Sequence, residues 1–218
     1  MKAQKLEKLQ DIQQASRYFS YSEYKEMVVD LFADNKVTGP HQIPAFMDST
    51  KMSIQRMKKW DKIYKLSDEL KEKLDKVKGQ WTWYVITEGW CGDAAQILPV
   101  IAKAAAYSEN IELKMLLRDE NEDIMEKYLT NGGKAIPVLV MVNNTTGEEM
   151  PHWGPRPVSI IEKLGETKKE SPDITKSELS KQLHLWYAKD KGMSTQHDIL
   201  ELVKQYMIPQ KSLLHKVS

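Results

Sequence analysis

The chain has 218 residues, 41% of them apolar and 29% charged, with 32 Lys and Arg against 31 Asp and Glu for a net charge of +1. That mixture excludes an intrinsically disordered chain and argues against a nucleic-acid binder working through bulk charge. The single cysteine, Cys91, excludes an intramolecular disulfide, a four-thiolate zinc site, an iron–sulfur cluster and a self-contained dithiol relay. His41, His152, His184, His197 and His215 are scattered without metal-ligand spacing, so neither metal nor cofactor is expected. Residues 1–8 have no apolar core and no small-residue cleavage site, and no stretch approaches the roughly 18 apolar residues of a membrane span. A cytoplasmic address is expected.

The first eighty residues read as helices. Leu6, Leu9 and Ile12 form a weak stripe, and Tyr24, Met27, Val28, Leu31 and Phe32 lie on one face of a helix. Ser20 and Glu23 have capping-box spacing at its start, and Gly39-Pro40 is its expected stop. A third run follows Ser49-Thr50, with Ile54, Met57, Ile63 and Tyr64 as candidate inward residues. Ser67 caps a fourth, carrying Leu70, Leu74 and Val77. The basic run Lys51, Arg56, Lys58, Lys59, Lys62 and Lys65 reads as a solvated helix face.

From Trp81 the pattern changes. Residues 81–87 are aromatic and β-branched, a buried strand. A helix is expected from Cys91 through Ala105, an alternating strand over 111–118 and a short helix over 122–130 ended by Gly132-Gly133. Arg118-Asp119-Glu120-Asn121 reads as a strand end plus a helix cap. A third strand is expected over 136–142, a turn at 143–147, a fourth strand near 148–153 and a helix near 158–169. The order is β-α-β-α-β-β-α. Its first two connections are helical crossovers, the kind that parallel strands require, and its last two strands pair as a hairpin. Residues 170–173 read as a linker. Two helices follow, one with Leu179, Leu183, Trp186 and Tyr187, the other capped near Ser194 or Thr195 with Ile199, Leu202, Val203 and Tyr206.

This order, with Trp90-Cys91-Gly92-Asp93-Ala94 after its first strand, resembles the thioredoxin fold. Pro99 stands where that family kinks its active-site helix. Ile136-Pro137 matches the cis-proline beside the active cysteine, and Trp153-Gly154 the glycine loop that completes the substrate groove. Within the superfamily the chain looks like a bacterial monothiol group without an established activity, which shares the runs Leu117–Asn121, Tyr128–Gly132 and Trp153–Arg156. The resemblance implies an α/β, thioredoxin-like fold: a mixed four-stranded sheet flanked by helices, over residues 67–170, with helical extensions at 1–66 and 171–218. It also implies thiol–disulfide exchange at Cys91, with a groove built from Trp90, Gly92, Asp93, Ile136, Pro137, Trp153, Gly154 and Arg156.

The departures are chemical. Ala94 replaces the second thiol, so a mixed disulfide on Cys91 would need an external resolving thiol. Val85 stands where thioredoxins bury an aspartate, and Asp93 where they have the active-site proline. The start of a helix favours thiolate, Asp93 and Glu88 oppose it, and Arg156 would favour it. Cys91 therefore reads either as a reactive monothiol, after an exposed-looking Thr87-Glu88-Gly89, or as an inert residue. Pro137 reads as a groove-shaping cis residue or as a trans strand-opening proline. Asp93 reads as an acid/base or, more simply, as a first-turn acid facing the helix dipole. The expected partners are a protein or low-molecular-weight thiol or disulfide, with no nucleic acid and no membrane, and a homodimer through the flanking helices is one use for them. The alternative is a non-catalytic thioredoxin-fold binding module that uses the groove beside Pro137.

Overall fold

The computed structural model describes residues 12–15 and 17–209, so Leu6 and Leu9 of the first predicted stripe lie outside the described residues. Helix α1 spans Tyr21–Ala33. Ser20 Oγ accepts the Glu23 N–H at 3.2 Å and Glu23 accepts the Ser20 N–H at 2.7 Å, which satisfies two donors the helix itself cannot. It ends at Ala33, six residues before Gly39, because Asn35 takes a left-handed conformation at φ 57°. Helix α2 spans Pro44–Ile63 and starts ahead of the expected Ser49-Thr50, since Pro44 at the first position needs no N–H partner. Its inward face is Thr50, Ser53, Met57 and Trp60, whereas Ile63 is 48% exposed. Helix α3 spans Asp68–Leu74, and Ser67 Oγ accepts the Leu70 N–H at 3.2 Å.

The sheet follows. Strand β1 spans Trp81–Thr87 with all seven residues buried, as a central strand covered on both faces requires. Helix α4 spans Ala94–Tyr107 and contains Pro99; β2 spans Ile111–Leu117, α5 Glu122–Met125, β3 Val138–Asn143 and β4 Glu148–Glu149. The strand order is β2-β1-β3-β4, with β1 parallel to β2, antiparallel to β3, and β3 antiparallel to β4. The second crossover thus does not yield a parallel strand. Helix α5 has four residues, about 6 Å of rise, too little to carry the chain back along the sheet. Asn131 and Gly132, both left-handed, then turn it into β3 from the end where β2 finishes. The fourth strand is shorter than expected because Pro151 offers no N–H to the ladder; pairing resumes only at Trp153, which exchanges two backbone bonds with Leu139 at 2.8 and 2.9 Å. Asn121 precedes α5 without a capping side-chain bond and instead donates to the Leu117 carbonyl at 2.8 Å.

Helix α6 spans Val158–Glu170, α7 Lys176–Asp190 and α8 Met193–Leu202, continued by a π-helical turn over Val203–Met207. Neither Ser194 nor Thr195 caps α8, which begins directly after Gly192. The core centres on β1 and α4, where Trp83, Ile86, Ile97, Leu98, Ile101, Met115 and Leu116 are fully buried. Polar ties bind the flanking helices to it. Trp60 donates to Gln96 of α4, and the Tyr64 hydroxyl and Ser67 N–H both donate to Gln196 of α8, at 2.8 and 2.7 Å. No helix among the described residues is long and apolar enough to cross a membrane.

Candidate functional site

Cys91 lies in the turn between β1 and α4, three residues before the helix opens at Ala94. Its thiol donates to the Ile136 carbonyl at 3.3 Å, and the Ala94 N–H donates to Sγ at 3.4 Å. Thr87 and Glu88 are fully buried, contrary to their exposed look in the sequence, and Cys91 itself is 7% exposed. Helix α2 closes one side, with the Ser53 hydroxyl 3.5 Å from the Cys91 carbonyl. Burial, and then the Asp93 carboxylate, push the thiol up to about 12, against the opposing pull of the Ala94 and Asp93 N–H groups and Arg156. Desolvation decides the sum, because a thiolate loses more by leaving water than two N–H donors return.

Asp93 does not cap the helix. Its Oδ2 receives Arg156 Nε at 2.9 Å and Nη2 at 2.7 Å, and its Oδ1 receives the Tyr187 hydroxyl at 2.8 Å. One carboxylate therefore ties together the cysteine turn, the loop after Trp153 and α7. Neither of the two readings the sequence allowed for it included that role. Burial and the Asp93 charge drive the Tyr187 phenol well above its ordinary range, so it keeps the proton it donates to Asp93.

Local contacts link the other expected residues to the cysteine turn: Cys91 meets Ile136, Gly154 meets Pro137 and Arg156 meets Asp93. The Ile136–Pro137 and Gly154–Pro155 bonds are both cis. Gly154 has φ +123°, and a Cβ there would stand 2.2 Å from the Pro137 carbonyl oxygen, so only glycine fits. The Trp153 indole donates to Asp198 at 2.9 Å and is nearly buried, which makes it a brace more than a contact surface. Trp90, half-buried, stacks on Phe46 at 4.3 Å between ring centroids, carries the Arg118 guanidinium at 4.9 Å and donates to the Thr38 carbonyl at 3.2 Å. Phe46 and Thr38, from the segment before β1, thus cover part of Trp90.

Three further residues reach the site. Arg56 is half-buried, so the basic run is not wholly a solvated face. It shares an edge of α2 with Ser53 and Trp60, at spacings of three and four, a signal that was present in the sequence. From α7, His184 and Tyr187 follow the buried Leu183. A cavity of about 370 Å³ opens among Arg56, Gly92, Asp93, Arg156, Leu183 and His184. No group of three or more metal-ligating side chains gathers among the described residues.

Glu88 is a second buried acid near the turn. Its Oε1 accepts the Asp119 N–H at 2.9 Å, while its Oε2 has no partner among the described residues. Burial raises it to about 7, with the Asp119 carboxylate adding, against the Thr38 hydroxyl, the Asp119 N–H and Arg118. The native state therefore holds a proton that the unfolded chain releases between about pH 4.5 and 7, and stability should fall as pH rises through that window, by up to about 3 kcal/mol. Glu88→Gln should remove this loss. Urea unfolding is expected to show the variant gaining on the parent between about pH 5 and pH 8; an equal difference at the two pH values would count against a neutral Glu88.

Among solved structures, the chain is similar to a protein of unknown function, PA1234, from Pseudomonas aeruginosa, at 17% identity over 85% of this chain and 98% of that one, with a TM-score of 0.51. An HIV epitope scaffold shows the same identity and coverage at a TM-score of 0.49. No curated protein matches the chain. The first likeness is one of fold. A family model described as thioredoxin matches residues 40–170, from the segment leading into α2 to the last residue of α6. With the mixed four-stranded sheet, the cysteine turn facing Ile136-Pro137 and more than half of its length matched, this α/β chain belongs to the thioredoxin family.

Proposed function

We propose that this chain is a thioredoxin-fold binding protein in which Cys91 is a sealed structural thiol and the groove beside Pro137 serves recognition. The observation that carries this reading is the Cys91–Ile136 contact. The thiol donates to the Ile136 carbonyl at 3.3 Å and α2 closes over the cysteine turn through Ser53, so Cys91 is held within its own chain. A nucleophile in exchange must be a thiolate with access to a sulfur, and this one is neither ionised near neutral pH nor open to solvent. Ala94 removes the internal resolving thiol as well.

The bacterial monothiol group that the Trp90–Ala94 core resembles supplies a second reading: exchange through Cys91 with an external thiol. The Ala94 N–H on Sγ and the charge of Arg156 favour it, since both stabilise a thiolate. One measurement separates the two, because every alkylated site in this protein is Cys91. Alkylation of the folded chain against pH should give an apparent pKa above the roughly 8.5 of a free thiol, and a rate at least about tenfold below that of the urea-unfolded chain. A folded-state pKa below that value, with a rate matching or exceeding the unfolded one, would establish the exchange reading in its place.

A further inference from the structure

The cavity of about 370 Å³ beside the cysteine turn is walled by α2 on one side and α7 on the other, and its size is that of a small-molecule site. Its charges are unevenly matched. Arg156 is committed to Asp93 through two nitrogens. Asp48, at the opening, is exposed and therefore screened by solvent. Arg56 is half-buried and forms no ion pair with any described residue, although burial weakens its hold on its charge. Its Nη1 lies 3.3 Å from where a Cβ on Gly92 would stand, so the absence of a side chain at Gly92 leaves the guanidinium its room. The His184 imidazole presents its Cε1–Nε2 edge to the same point, at 3.4 and 3.9 Å, while its Nδ1 is buried without a partner among the described residues. Burial and the two arginines hold His184 below its ordinary range, with Asp93 opposing, so the ring is neutral near pH 7.

The geometry points to a binding pocket for a small monocarboxylate, with Arg56 as its charge partner and His184 as its second polar contact. A planar guanidinium fork matches a carboxylate through two parallel bonds. One unmatched positive charge suits a singly charged ligand. A phosphate, carrying nearly two charges at neutral pH, would find only Arg56 free to match it, because Arg156 is held by Asp93. Met52 and the buried Leu183 supply an apolar wall for a short carbon skeleton.

This inference rests on the reading of the groove as a recognition site, and its test is separate from the thiol measurement. Acetate, lactate and butyrate, and inorganic phosphate as the competing anion, are titrated into the full chain at constant ionic strength. The readouts are calorimetry and the His184 ring resonances. The expected result is a dissociation constant of about 1 mM or tighter for at least one carboxylate, about tenfold weaker binding by phosphate, and a loss of about tenfold or more in Arg56→Gln. Gly92→Ala, which crowds the guanidinium, should weaken binding too and carries the test if Arg56→Gln does not fold. Carboxylate binding weaker than about 10 mM, equal affinity in a folded Arg56 variant, or phosphate binding as tight as the best carboxylate would overturn the pocket. A pocket that fails beside a sealed thiol leaves the proposed function standing. A pocket that binds beside a fast thiol removes the sealed-thiol reading and leaves the pocket.

Discussion

Replacing Gly154 by alanine is expected to destabilise the fold by roughly 4 kcal/mol, since its Cβ would make the closest approach of any at the ten glycines. Two costs add. The backbone at φ +123° lies where a side chain is rarely tolerated, and the new Cβ would stand 2.2 Å from the Pro137 carbonyl oxygen. That neighbour is backbone, so it cannot swing aside as a flexible side chain would. Relief would require the loop at 154–156 to move off the strand it flanks, with Arg156 moving away from Asp93. Urea unfolding followed by tryptophan fluorescence is the measurement, and the same samples report alkylation of Cys91. A loss below about 1 kcal/mol would mean that the loop relaxes freely and does not define the groove.

Asp93→Asn is expected to do two things together. It leaves the Arg156 guanidinium without its counter-charge and weakens the Tyr187 contact, at a cost of about 2 kcal/mol. That is below the figure for a fully buried pair, because the Arg156 side chain is 33% exposed against 12% for Asp93. It also removes a negative charge that opposes the thiolate and frees Arg156, which favours it. Both changes lower the thiol pKa, by about one unit or more, so alkylation near neutral pH should accelerate about tenfold while the fold weakens. A destabilised variant with an unchanged thiol pKa would show that burial alone holds the thiol up. A faster thiol in a fully stable variant would show that the Arg156–Asp93–Tyr187 tie contributes little to holding α7 in place. Thermal unfolding and the pH profile of alkylation are both needed, since general loosening of the fold would expose the thiol without shifting its pKa.

Much of the architecture is written in short stretches of sequence. The Trp81–Thr87 strand, the Ser20–Glu23 capping box and the Ser67 cap arise from residues within six positions of one another. The terms that create them, pleat alternation, helical period and orphan N–H groups, act over that same range. The cysteine turn, Ile136-Pro137 and Gly154 were legible too, as residue types that the fold's tight approaches demand. Other features were not. The direction of β3 depended on how short α5 is, and the inward face of α2 exchanged Ile63 for Trp60 because Gln96 lies opposite.

The chemistry of the site belongs most of all to the tertiary structure. The sequence by itself determined that one thiol is present, that no resolving partner accompanies it, and that it stands at the mouth of a thioredoxin-type helix. Whether that thiol meets water was decided by Ser53, 38 residues before it in the chain, and by α7, which begins at Lys176. The roles of Arg56, Asp93 and Tyr187 were decided in the same way. The physical reason is that periodicity tells which face of a helix is buried but not what buries it. Desolvation and charge pairing, which set the state of Cys91, depend on what lies across the contact.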